Sequence, residues 1–219
     1  MMQRDNRELR VVADIAAAAE ALFLDLRPRT VALSGGSTPK VLYQRLASAN
    51  YPWEETDVFF GDERCVSPSD PDSNFRMASE ALLSKVPARV HRMHGEDCDA
   101  AGYAADLEAT FGPGIPQFDL VFLGLGPDGH TASLFPGDPA LEERVKTVLR
   151  VDRPDHSRLT LTLPVLSAAR VAVFLVVGGE KRAMLAQLLA DGDIPAARVA
   201  ARRIVIIADD AAAPELAPA

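Results

Sequence analysis

Two periodicities divide the chain. Short runs of β-branched and aromatic residues occupy Thr30–Ser34, Asp57–Gly61, Phe118–Gly124, Val171–Gly178 and Arg203–Ala208. Apolar positions at helical spacing fill Val12–Leu26, Thr38–Ser48, Asn74–Leu83, Ala100–Thr110 and Glu180–Leu189. Continuous apolar strands alternating with helices of this length predict a mostly parallel sheet with helices on both faces. This is a doubly wound α/β fold with right-handed crossovers. Leu159–Leu163 alternates Leu with Thr and predicts a strand exposed on one face. Nothing inside the chain reads as a linker or a repeat, so one domain over 1–219 is expected, with the Ala- and Pro-rich 210–219 frayed.

Composition then removes whole classes of partner. With 23 basic against 31 acidic residues the net charge is −8, which disfavours nucleic acid and anionic membranes. A few cations gathered in one cleft would still suit a small anionic substrate. Cys65 and Cys98 are too few for a disulfide scaffold and read as free thiols of a reducing compartment. The opening MMQRDNRELR lacks a signal peptide's apolar core, and Val171–Val177 is far shorter than the ~20 residues that span a bilayer. A cytoplasmic protein is expected, as a monomer or a weak homo-oligomer.

In open α/β sheets, ligands bind beyond the carboxyl ends of the strands, so the loops there hold the candidate chemistry. Gly35, Gly36, Ser37 and Thr38 follow the first apolar run. The glycines admit close backbone approach, Ser37 or Thr38 caps the next helix, and Pro39 suits its first position. The free N–H groups of such a helix start attract a phosphate. The stretch has neither dinucleotide-loop nor P-loop spacing, so a phosphate ester suits it better than a nucleotide.

Asp62, Glu63 and Arg64 end the second run, and Asn74 follows. Arg64 offers a planar fork for phosphate or carboxylate. Asp62 and Glu63 either orient it or bind substrate hydroxyls, and Asn74 caps a helix. The third loop, Gly124–Gly137, holds His130 in a tight Gly/Pro/Asp frame. A neutral imidazole takes and returns protons near neutrality. Asp128 either holds one of its nitrogens or binds substrate. The fourth loop, Gly178–Arg182, places Lys181 in a first helical turn, against the helix dipole, so a nearby anion would help to offset that repulsion. His91, His94 and His156 have no partner motif, and neither cysteine lies in a metal-ligand pattern, so no metal site is expected.

Ala32–Pro39, Gly61–Arg64 with Asp72–Asn74, Asp128–Gly137 and Gly178–Arg182, in this order, resemble the 6-phosphogluconolactonase family. The resemblance implies a Rossmann-like α/β domain shared with glucosamine-6-phosphate deaminases. It also implies hydrolysis of 6-phospho-D-glucono-1,5-lactone to 6-phosphogluconate, the second step of the oxidative pentose phosphate pathway. By the same resemblance His130 is the general base, Arg64 and Lys181 meet the substrate phosphate, and no metal or organic cofactor is needed. Two alternatives stand beside it: an aminosugar-phosphate deaminase or isomerase, and a non-catalytic sugar-phosphate-binding regulator. Deaminases carry a glutamate where this chain has Phe135, which weakens the first.

Overall fold

The computed structural model describes residues 6–214. The strands are β1 (Arg7–Val11), β2 (Thr30–Leu33), β3 (Asp57–Phe60), β4 (Asp62–Arg64), β5 (Arg89–Val90), β6 (Leu120–Gly124), β7 (Val148–Val151), β8 (Arg158–Leu161), β9 (Val171–Val176) and β10 (Arg203–Ala208). The helices are α1 (Ile15–Leu26), α2 (Ser37–Leu46), α3 (Asn74–Ala81), α4 (Ala100–Phe111), α5 (Leu163–Ala168), α6 (Arg182–Leu189) and α7 (Pro195–Arg198). Seven strands form a parallel sheet in the order β1-β10-β9-β6-β2-β3-β5, and β4-β8-β7 form a separate antiparallel sheet.

Apolar side chains on both faces explain the parallel sheet. Val31, Val58, Phe59, Phe122, Phe174 and Ile206 are all buried, as the continuous runs require. Phe23 of α1 stacks on Trp53 at 5.4 Å and on Phe122 at 6.4 Å, joining helix to sheet. Strand order reverses between β2 and β6, which are neighbours although far apart in sequence. A doubly wound sheet opens its binding crevice at the carboxyl ends of such a pair.

The structure corrects several expectations. Leu159, Thr160, Leu161 and Thr162 are all buried, so this strand has no solvent face. The two hydroxyls are satisfied inside: Thr160 Oγ1 donates to Leu161 C=O at 3.0 Å and Thr162 Oγ1 to Lys146 C=O at 2.7 Å. Charged β1 pairs along the edge of β10, a place where polar side chains blunt an open edge. Of the stretch 210–219 expected to fray, residues 215–219 lie outside the described residues. Before them Ala212 is buried and its N–H donates to Asp209 Oδ1 at 2.8 Å, so the chain does not fray at that point. Cys65 and Cys98 are joined as a disulfide, with Cα atoms 5.1 Å apart, and are not free thiols. The loop before α4 folds back onto β4, a non-local contact that residue spacing does not reveal. No helix among the described residues is long and apolar enough to cross a membrane.

Candidate active site

The turn after β2 is shaped by what lies against it. A Cβ on Gly35 would overlap the Asn74 carboxamide, so only glycine fits. Gly36, at φ 109°, is the N-cap of α2 and supplies no side-chain cap bond. Ser37 therefore opens the helix, and neither it nor Thr38 is the cap; Pro39 stands two positions in. Gly35 and Gly36 line the cleft with Ser34, whereas the Ser37 and Thr38 side chains do not. Tyr43 of α2 fixes the strand end from below: its hydroxyl accepts from Ser34 N–H and donates to Ser34 C=O, each at 2.9 Å.

Alternation along β4 sends its three charged residues to different tasks. Asp62 and Arg64 line the cleft. Glu63 is buried away from it at the start of α3, where its carboxylate accepts from Asn74 and Phe75 N–H at 2.7 Å and from Ser73 Oγ at 3.0 Å. Burial raises the Glu63 carboxyl above its ordinary range, and these N–H donors only partly oppose it. Ser73, not Asn74, is the N-cap of α3. Asn74 instead couples the cleft residues: Oδ1 accepts from Arg64 Nη1 at 2.7 Å, while Nδ2 donates to Asp62 C=O at 2.9 Å. Asp62 Oδ2 accepts from Ser133 Oγ at 2.7 Å, so it ties β4 to the His130 loop.

His130 follows β6. Its Nδ1 lies 2.5 Å from Asp128 Oδ1, and the same oxygen accepts its backbone N–H at 3.1 Å. With Nδ1 engaged by a carboxylate, Nε2 is the basic nitrogen. A Cβ on Gly126 would overlap the imidazole, so glycine lets the ring lie against the backbone. Phe135 packs on the other side at 4.6 Å between centroids. His130 lines the cleft, and Asp128 stands behind it. Burial works to raise the Asp128 carboxyl, but His130's backbone N–H, ring and charge outweigh it and hold the group below the ordinary carboxylate range.

Lys181 closes a short 3-10 turn, Gly179–Lys181, and α6 begins only at Arg182. It lines the same cleft as Arg64 and His130. Arg158, at the start of β8, lines it too. The sequence does not single out this residue, because an arginine beside an alternating Leu/Thr strand looks like a solvent-facing charge; its one signal is its place at a strand end. The other histidines lie elsewhere. His91 stacks on Phe59 at 4.1 Å, and His156 Nε2 meets Asp72 Oδ2 at 3.1 Å. His94 lies with Glu96 and Asp97 in an exposed cluster whose Glu96 is already bound to Arg92 at 2.6 Å.

The cleft thus brings together a carboxylate-held imidazole, three cations, one buried carboxylate and a glycine turn. It holds the groups needed to bind an anion and to move a proton. Residues 3–207 match the family model for glucosamine-6-phosphate isomerases/6-phosphogluconolactonase. The chain is 45% identical over 171 residues to 6-phosphogluconolactonase of Synechocystis sp., covering 74% of this chain and 71% of that protein. It is 43% identical over 171 residues to the Nostoc sp. 6-phosphogluconolactonase, with the same coverage of 74% and 71%. The solved 6-phosphogluconolactonase of Trypanosoma cruzi superposes with a TM-score of 0.85 at 30% identity, over 96% of each chain.

Proposed function

The chain belongs to the glucosamine-6-phosphate isomerase/6-phosphogluconolactonase family, and on that premise we propose that it hydrolyses 6-phospho-D-glucono-1,5-lactone to 6-phosphogluconate, with His130 as general base. The observation that carries the mechanism is the His130–Asp128 pair, set in the same cleft as Gly35, Gly36, Arg64 and Lys181. The substrate phosphate rests at the glycine turn with Arg64 and Lys181, and this anchors the lactone carbonyl beside His130. Nε2 takes a proton from water as the water oxygen attacks the carbonyl carbon. The tetrahedral oxyanion collapses, the bond to the ring oxygen breaks, and the imidazolium returns its proton to that oxygen. Asp128 holds the ring and offsets the imidazolium charge while it lasts. Asn74 orients Arg64, and Asp62 braces the two loops.

The test is His130→Ala. It should keep its affinity for 6-phosphogluconate and lose about 10²–10⁴ in kcat, the usual share of a general base. Near-normal turnover would remove His130 from the mechanism. An ammonia assay with glucosamine 6-phosphate should read zero. Phe135, which has no proton to exchange, packs on the imidazole and holds the sequence position at which deaminases carry a glutamate.

A further inference from the structure

Strands β4 and β8 place Arg64 directly opposite Arg158 in antiparallel register. The neighbouring bonds define what kind of pair this is. Cys65 N–H donates to Ser157 C=O at 2.8 Å, and Leu161 N–H donates to Gly61 C=O at 2.8 Å. Hydrogen-bonded and non-bonded pairs alternate along such a ladder, so Arg64 and Arg158 form a non-bonded pair, where facing side chains stand closest. Like charges at facing positions destabilise a ladder. Here both cations also line the same cleft.

The Arg64 guanidinium has no carboxylate partner among the described residues, and that of Arg158 is paired with one but not fully satisfied. Arg64 Nη1 donates only to neutral oxygens, Asp72 C=O at 3.0 Å and Asn74 Oδ1 at 2.7 Å. The Arg158 side chain is 13% exposed, and its Nη2 meets Asp155 Oδ2 at 2.5 Å. Its Nε is buried and has no hydrogen-bond partner among the described residues. Leaving such a donor unpaired is costly, and so is setting two cations face to face. An anion with several acceptor oxygens, held in the cleft between the two side chains, offsets both costs.

We propose that Arg158 is a substrate-binding residue that grips, together with Arg64, the phosphate group of the sugar-phosphate lactone in the cleft that both side chains line with Gly35, Gly36 and Lys181. The assignment rests on the lactonase reading above and names a cation which that reading does not use. The rival position for Arg158 is at the reacting carbonyl. Its guanidinium lies 5.6 Å from the Phe135 ring, and that ring packs on His130. Substrates with and without phosphate separate the two positions.

The experiment compares wild type, Arg158→Gln and Arg158→Lys on 6-phospho-D-glucono-1,5-lactone and on unphosphorylated D-glucono-1,5-lactone. Thermal melts with and without inorganic phosphate run alongside. Arg158→Gln should raise KM for the phosphorylated lactone by at least about tenfold and lose the melting shift that phosphate gives wild type. Its rate on the unphosphorylated lactone should fall far less than its rate on the phosphorylated one. Arg158→Lys keeps the charge without the fork and should fall between the two; it also carries the test should the Gln variant not fold. An equal fall in kcat on both lactones overturns the proposal by placing Arg158 at the carbonyl. Unchanged KM and an unchanged phosphate shift overturn it as well. A wild type that shows no preference for the phosphorylated lactone overturns the lactonase reading itself.

Discussion

Asp128 grips His130 through one oxygen, which takes both the backbone N–H and ring Nδ1. This fixes where the imidazole carries its proton, so in the proposed mechanism Asp128 serves to position the base. Held below the ordinary carboxylate range, it stays ionised across neutral pH. In Asp128→Asn the amide either keeps an oxygen on Nδ1 without the charge, or presents NH₂ and drives the proton to Nε2. Both outcomes weaken the base without touching the phosphate anchor. Steady-state kinetics should show kcat down by at least about tenfold with KM little changed. A raised KM at unchanged kcat would instead make Asp128 a substrate ligand, the alternative that residue spacing leaves open. Glu63 shows the limit of reading residue by residue. It stands between two cleft residues in sequence, yet strand alternation turns it inward to the start of α3.

Two buried tyrosines act at the level of elements. Tyr43 hydroxyl closes the end of β2 through Ser34, and Tyr103 hydroxyl meets Phe60 N–H at 2.8 Å at the end of β3. Each replaces ladder bonds where a strand leaves the sheet for a functional loop. Tyr43→Phe leaves Ser34 N–H and C=O unpartnered and should cost about 1–3 kcal/mol in urea unfolding. At the opposite end of β3, β5 is held to it by Arg89, whose Nη2 lies 2.7 Å from Asp57 Oδ2. Arg89 lowers the Asp57 carboxyl, burial opposes this, and His91 adds to the lowering. A folded-state pKa below the unfolded value gives stability that is present above about pH 4 and lost as pH falls through the folded value. Asp57→Asn should therefore melt below wild type at neutral pH, with the gap closing in acid. A gap that stays constant with pH would mean the pair contributes nothing through its charge. The sheet's central strands were legible because burial on both faces leaves only apolar residues, as in Val171–Val176. β1 and β4 were not, since charged side chains at an edge or a ligand site erase the apolar signature.

At the scale of the whole molecule, an acidic chain presents a cleft with three cations because four distant loops meet at one sheet edge. The glycine turn, Arg64, His130 and Lys181 were readable as strand-end loops. Arg158 was not, because its membership depends on the β4–β8 register. The disulfide depends on the same kind of non-local contact. Cys65 directly follows Arg64, Cys98 lies 33 residues on, and the loop between returns so closely that a Cβ on Gly95 would overlap Arg64 C=O. Cross-linking a loop of that length restricts the unfolded chain by about 3–4 kcal/mol. A Cys65→Ser, Cys98→Ser double variant should unfold at lower urea by that amount, and a dithiol reductant should shift wild type equally. The double variant should ignore the reductant. If wild type ignores it too, and thiol labelling of the native protein finds two reactive groups, the loop is held to β4 by packing alone and the cross-link plays no part in its stability.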